Sequence, residues 1–459
     1  MGRSRSRSVV GAGTALTAVT LAACGGVGGG DAGSDQAASS SGGKVTISTM
    51  GFGLPDEIAS VRVKTYENSA KGGPVKITEG GFDEQQFLAA VASGNPPDAV
   101  HLDRAKVGTY AARGAIVPMD DCIAKSGIDM SQYRKPGVQQ VTLDGKVYAI
   151  PEFYGMRLLI SDDAVVKKAG LTTEQVASGD WDTITMVNDK MTQGSGRNLK
   201  VIGYDPRIPE TLPLWTAANG GQMLSADGKT ASLEDPKVVE ALTFTTNLVK
   251  RAGKYSEFKA TREGVDFFGK DNQYAKDTVG AMPIDDFYLN VLADVSPKAG
   301  FTVSPILDRQ GKQINYSGGS AWAIPKGAKH PEQACEFAKV MTAADTWVAA
   351  AKARAEALRA EGGYYLGTNS GNKVADERIR TEVFKPTGVP ALDNGAKVLQ
   401  QAQDSAITLP ATYAGSEFEK AYTDAVTRVL EGSQTPAQAL KQAQGEAQKA
   451  LDAAVKSRQ

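Results

Sequence analysis

Three aspartate doublets punctuate the chain, Asp120-Asp121, Asp162-Asp163 and Asp285-Asp286, and glycosidic hydrolysis requires little more than two carboxylates at the right separation. Adjacent aspartates at helix starts usually act as caps and dipole partners instead, so the doublets alone define no catalyst. A different pair, Asp103-Arg104 in "PDAVHLDRAKVGTY", sets an acceptor beside a fork of donors just behind a short apolar run. Such a pair either closes a turn as a local salt bridge or holds a polar ligand by charge-assisted hydrogen bonds. Phe153, Tyr154, Trp215, Phe287, Tyr288 and Trp322 each fall near a predicted strand end, a glycine or a proline. Aromatic faces beside Asp, Arg and Asn suit a neutral polyhydroxylated ligand, whose C-H faces stack and whose hydroxyls both donate and accept. Any one of these rings, taken singly, reads more readily as core.

Other chemistry is excluded by what the sequence lacks. It contains no G-x-S-x-G elbow, H-E-x-x-H or G-x-x-x-x-G-K-[ST], and its G-x-G-x-x-G match, Gly28 to Gly33, falls in a Gly/Ser-rich stretch with no strand before it, so nucleotide hydrolysis and the common serine and zinc hydrolases find no support. The only histidines are His101 and His330, and the cysteines show no metal-ligand spacing, so no metal, cofactor or catalytic residue is expected. A formal charge of -1 over 459 residues, with no Lys/Arg stripe, argues against nucleic acid. Cys122 and Cys335 make no disulfide framework; the sequence leaves open whether they bond or remain idle thiols.

The elements that must position these side chains follow from periodicity. Strands are expected over 44–50, 74–80 and 98–102, and helices over 56–70, 83–94 and 105–114, the last closed by Gly114. Alternation at this pace implies a mostly parallel sheet flanked by helices, with ligands beyond the carboxyl ends of its strands. Phe52, the Gly80 to Asp83 turn with Phe82, and Asp103-Arg104 stand at those ends. Further on, "DGKVYAIPEFYGMRLLIS" reads as two extended pieces joined at Pro151, "TVGAMPI", "FTVSPI" and "INYSGGSAWAIP" as strands, and 235–253 as a helix stopped by Gly253. The last third is helical; its terminal Ala/Gln/Lys segment is expected to lie on a domain surface.

The N-terminus reads as an export signal: Arg3, Arg5 and Arg7, then an apolar run from Val9 to Ala23 that is shorter than the about 20 residues a membrane span needs. It ends in Leu21-Ala22-Ala23-Cys24, which resembles the lipobox of bacterial lipoproteins. That resemblance implies a signal peptide over 1–23 and an acylated Cys24. Residues 25–43 are Gly/Ser-rich, a tether with a reach on the order of 20 to 25 Å.

The lipobox and tether, "SGNPPDAVHLDRAKVGTYAARGAIVPMDD", "DGKVYAIPEFYGMRLLIS", "WDTITMVNDKMT", "LPLWTAANGGQMLSADGKTASLEDPKVVEAL", "VGAMPIDDFYLN", "GGSAWAIPKGAKHPEQACEFAKVMT" and "EGSQTPAQALKQAQ" occur in this order. Together they resemble family 1 extracellular solute-binding proteins, the capture subunits of ATP-driven sugar importers, of which maltose-binding protein is the familiar relative. The resemblance spans residues 44 to 455 and implies an α/β, two-lobed periplasmic-binding-protein fold of class II, each lobe a mostly parallel sheet flanked by helices. Lobe one would hold 44–150 and 324–385 and lobe two 151–323 and 386–459, with crossings near Ala149 to Phe153, Ser320 to Ile324 and Phe384 to Gly388. It implies a receptor, not an enzyme: a monomer, lipid-anchored on the extracytoplasmic face of a bacterial membrane, that closes on a mono- or oligosaccharide and delivers it to ABC permease subunits. A polyol, glycerol phosphate or iron ligand, or a secreted glycoside hydrolase, are the competing readings. Carried over by position, Asp103 and Arg104 match a sugar-hydroxyl clamp, Tyr288 a stacking ring, and Trp322 a cleft-lining segment. The pattern departs at Gly155, where an acidic contact is expected, which makes Tyr154 and Arg157 the neighbouring candidates, and at Glu419, where a stacking aromatic is expected. Phe52, Phe82 and Asp286 complete the candidate ligand set, with Glu417 and Phe418 bordering the cleft.

Overall fold

The computed structural model describes residues 44–458; the expected signal peptide, Cys24 and tether lie outside the described residues. Strands are numbered in chain order. A five-stranded sheet contains β1 (Ile47–Met50), β2 (Val75–Thr78), β3 (Ala99–Asp103), β6 (Ile150–Pro151) and β12 (Ser320–Ala323), in the order β2-β1-β3-β12-β6. A four-stranded sheet contains β7 (Arg157–Asp162), β8 (Ile202–Tyr204), β9 (Val279–Asp285) and β10 (Phe301–Ser304), in the order β10-β7-β9-β8. Between them, β11 (Asn315–Tyr316) pairs in parallel with β13 (Ala406–Ile407), while β4 (Thr142–Leu143) and β5 (Lys146–Val147) form a hairpin.

The alternating part of the sequence builds the first sheet as expected. Helices α1 (Glu57–Asn68), α2 (Glu84–Ala92) and α3 (Arg104–Ala112) each follow a strand, and the carboxylates of Asp56, Asp83 and Asp103 cap them in turn. Each cap accepts an otherwise orphaned amide of the first turn. One face of the sheet buries Ile47, Val63, Tyr66, Trp322 and Phe337, and the other buries Met50, Phe87, Leu102, Val107 and Tyr110.

Strand direction differs from the expectation of mostly parallel sheets. β1 runs parallel to β2 and β3, but β12 is antiparallel to both β3 and β6. In the second sheet β7 is antiparallel to β9 and β10, and only the β8–β9 pairing is parallel. The reason is topological: β12 and β7 enter their sheets from the opposite one instead of returning through a helical crossover. β12 hydrogen-bonds between β3 and β6, inside the first sheet.

The second core gathers Leu158, Ile160, Trp181, Trp215, Leu242 and Ile284 with the C-terminal helices. The terminal helix, Pro436–Lys456, buries Ala439, Leu440, Ala443, Ala447 and Leu451 along one stripe and lies on the helices Gly415–Leu430 and Pro236–Arg251, which is the expected surface position. Cys122 and Cys335 form a disulfide with Cα atoms 5.8 Å apart. It ties the short helix Asp120–Ser126 to the helix Pro331–Thr342 behind the first sheet, settling the question that the sequence left open.

Candidate ligand-binding cleft

A cavity of 970 Å³ lies where the two sheets meet, at the upper end of the size range of small-molecule sites. Gly51, Phe52, Asp56, Arg62 and His101 line it from the side of the first sheet; Arg157, Asp285, Asp286, Phe287 and Asn290 line it from the side of the second. The β1 and β9 contributions are the loops at the strands' carboxyl ends, where such folds place ligands.

The lobe-two wall carries the aromatic surface. Phe287 and Phe268 remain 47% and 61% exposed, and their rings stack at 6.3 Å with an interplanar angle of 20°. Large apolar side chains left exposed in pairs at a cavity rim are a ready stacking platform. Beside them Arg157 is ion-paired with Asp285, and its backbone is held in register by Asn315, whose side chain accepts from the Arg157 amide at 2.9 Å and donates to its carbonyl at 2.6 Å. Asp286 is buried and accepts from the Asn369 side chain at 2.5 Å.

Burial pushes the Asp286 carboxyl up to about 6, the Asn369 hydrogen bond opposing the shift. Its folded value thus lies above the ordinary 3.8, so the folded state holds a proton that the unfolded chain has released. The associated stability is fully present below the unfolded value and declines as pH rises toward the folded one. Asp286→Asn is therefore expected to stabilise the empty protein by roughly 3 kcal/mol near neutral pH and to lose that advantage in acid, as read by urea denaturation across pH. An equal gain at every pH would contradict this origin.

The sequence candidates divide between the cavity and its supports. Phe52, Arg157 and Asp286 line the cavity. Trp322 does not: it is wholly buried beneath Phe52, 5.1 Å between ring centroids, and against Phe337 at 4.8 Å. Tyr288 is likewise core, its hydroxyl donating to the Phe267 carbonyl at 2.8 Å and accepting from Gln273 at 2.7 Å. The neighbouring Phe287 takes the exposed position instead. Phe82 packs on Phe87 and Tyr110, because its turn folds back over α2.

Asp103 and Arg104 are split. Asp103 caps α3, accepting from the Ala105 amide at 2.9 Å, and lies close enough to Glu419 to help raise that carboxyl, whose shift comes first from burial. Arg104 is fully buried, donating to the Ser317 hydroxyl at 3.0 Å and to the Gly318 carbonyl, with its guanidinium 5.0 Å from the Tyr154 ring. Burial pushes it down to about 10. Arg134 lies 5.4 Å from the same ring, so Arg104 and Tyr154 fasten the segment entering β12 rather than reach the cavity. Of the flanking positions, Phe418 is buried and Glu417 accepts from Arg113 at 2.6 Å.

Several cavity residues escaped sequence reasoning. Phe268 sits in "DFFGK" and Tyr364 to Asn369 in "GGYYLGTNS"; paired aromatics beside glycines are the local signal for both. Arg62 and His101 also line the cavity, and both lie against the buried carboxylate of Glu152; the three come from distant parts of the chain and carry no local signal.

This architecture, two α/β lobes meeting over one large cavity, is that of the two-lobed solute-binding proteins. The chain belongs to the family described as bacterial extracellular solute-binding protein, whose pattern it matches over residues 62–357. It is 23% identical to the diacetylchitobiose-binding protein DasA of Streptomyces coelicolor, over 94% of this chain and 96% of that one. An arabinooligosaccharide-binding protein of Bacillus subtilis is 21% identical, over 62% of this chain and 66% of its own length. Among solved structures, CpMnBP1 with mannobiose bound superimposes with a TM-score of 0.70 at 22% identity, covering 88% of this chain and all of the other (100%). An ABC substrate-binding protein from Listeria monocytogenes in complex with cycloalternan gives a TM-score of 0.68 at 19% identity, covering 89% and 99%.

Proposed function

We propose that this protein captures a sugar between its lobes and delivers it to the membrane subunits of an ABC importer, binding the ligand without transforming it. The observation that carries the reading is the cavity itself: it combines the stacked Phe268 and Phe287 with Arg157, Asp285, Asp286 and Asn369, a surface that offers both a ring face and hydroxyl partners. The named ligands of the similar proteins, mannobiose, diacetylchitobiose and arabinooligosaccharide, supply the first probes. Because lobe one supplies Phe52 and lobe two Arg157 and Phe287, a ligand touching both favours the closed arrangement by its differential affinity for closed over open. On this reading the lobes comprise residues 44–151 with 320–385, and 152–319 with 386–459. The protein acts as a monomer held on the extracytoplasmic face of the cell membrane through an acylated Cys24.

A thermal-shift panel of these three sugars tests it. A ligand at 100 times its dissociation constant should stabilise the fold by about 2.7 kcal/mol, and the sugar should be recovered intact. No shift with any carbohydrate, or turnover of one, would overturn the reading. With a sugar in hand, Phe287→Ala should weaken binding by about 1–3 kcal/mol and leave the melting temperature of the empty protein nearly unchanged, because the ring is half exposed. Titration calorimetry and a melting curve separate the two effects.

A further inference from the structure

The lobe-one wall of the cavity leans on a single imidazole. His101 stands on β3 with Phe52 edge-on at 5.4 Å and Trp322 tilted against it at 4.9 Å. Its Nδ1 lies 3.0 Å from the carbonyl oxygen of Gly51, and its Nε2 lies against the carboxylate of Glu152. Gly51 has φ +82°, and a Cβ there would come within 2.3 Å of the His101 carbonyl, so the loop bearing Phe52 passes as close to this residue as a backbone can.

Both partners of the ring accept and neither donates. A carbonyl oxygen has no proton, and the Glu152 carboxylate already accepts from the guanidinium of the buried Arg62. A neutral imidazole carries one N-H and one lone pair. It can satisfy Gly51 or Glu152, but then sets a lone pair against the other; only the imidazolium satisfies both.

Glu152 also sits at the junction between the lobes. Its amide donates to the Ser320 carbonyl at 2.8 Å, its carboxylate accepts from the Ser320 hydroxyl at 3.3 Å, and its carbonyl accepts from the Gly371 amide at 2.5 Å. The ring therefore joins the cavity wall to three segments that meet where the chain passes between the sheets.

We propose that His101 is a positioning residue of the ligand cavity: as an imidazolium it bridges the Gly51 carbonyl to Glu152 and fixes the Gly51-Phe52 wall, and loss of its proton frees that wall. The proposal rests on the cavity being the ligand site, but the bridge itself needs no ligand. The ionisable groups facing the ring are Arg62 of α1 and Glu152 beside β6, while β12 presents Trp322 and the Ser320 hydroxyl. Of the other carboxylates on the cavity, Asp56 caps α1, Asp285 pairs with Arg157 and Asp286 accepts from Asn369, while Asp294 and Glu361 also line it.

The chain has only two histidines, so ring nitrogen NMR of the unliganded protein reads His101 directly, with His330→Gln assigning the other signal. Across about pH 5 to 8, the histidine range, both His101 nitrogens should carry protons at the acid end. The order parameters of the Gly51 and Phe52 amides should fall from about 0.85 toward about 0.6 in step with deprotonation of the ring. His101→Gln should show the lower order at every pH, and Asp286→Asn should leave the step in place. A ring with one proton throughout, a wall that stays ordered through deprotonation, or a step that survives in His101→Gln would each overturn the proposal. The wild-type titration decides even if the glutamine variant fails to fold. Since no sugar is added, failure here leaves the sugar-capture reading untouched, and failure of the sugar panel leaves this bridge to stand on its own.

Discussion

Arg62→Leu is expected to destabilise the protein by about 3–5 kcal/mol, the magnitude for removing one partner of a buried ion pair. Arg62 and Glu152 are both wholly buried and ion-paired, and the guanidinium also donates to the Ile58 carbonyl at 2.8 Å and the Met341 carbonyl at 3.0 Å while lying 3.9 Å from the Trp347 ring. Leucine keeps the apolar volume but leaves the Glu152 carboxylate facing His101 alone. The double variant Arg62→Leu with Glu152→Leu should depart from the sum of the two single variants, and the departure measures the coupling within the pair. Denaturation curves for these variants check this; a single variant within about 1 kcal/mol of the wild type would show that the pair is solvated after all. The depressed Glu152 carboxyl fixes the pH dependence. Its folded value, about 2, lies below the ordinary 4.5, so its contribution is present above the ordinary value and fades as pH falls toward the folded one.

Reduction of the Cys122–Cys335 bond, or Cys335→Ala, should remove about 2–4 kcal/mol, the usual contribution of a disulfide. The sequence separation is 213 residues, and closing long loops restricts the unfolded chain most. The bridge holds two helices behind the first sheet, and neither cysteine lines the cavity. Ligand affinity measured at a temperature where the variant is folded should therefore equal that of the wild type. Denaturation with and without reductant gives the first quantity and calorimetry the second. A large loss of affinity would mean that the bond shapes the cavity.

What could be read from the chain follows the range of the forces involved. The β1 to α3 alternation was legible because each helix carries its own cap and its own apolar spacing, all within a few residues. The terminal helix was legible for the same reason. Strand direction in the second sheet was not, since it depends on where a strand enters and not on its residues. Side-chain depth was the hardest property. Phe287 and Tyr288 are adjacent, yet one is half exposed and the other has no exposed surface, because the helix starting at Tyr288 turns the second ring inward to partners at Phe267 and Gln273. Trp322, expected on the cavity beside Phe52, lies beneath it instead: β12 sits inside its sheet, so the larger ring became the floor under the smaller. Asp103 and Arg104 fell on either side of one strand end, the first capping a helix and the second buried under the crossing. A resemblance in order of motifs carried the fold, but not these single-residue choices.

The position of β12 bears on how the chain comes to fold. Ser320–Ala323 fills the gap between β3 and β6, so β6 has no sheet neighbour until more than two thirds of the polypeptide has been made. The second lobe is equally late, since its core takes in Ala439, Leu440 and Leu451 near the carboxyl terminus. A chain whose halves are interleaved in this way gains little from the early appearance of its amino-terminal part, and long-range pairings of this kind form slowly. Neither lobe can complete its core before most of the polypeptide is available, so the two lobes lock late and together.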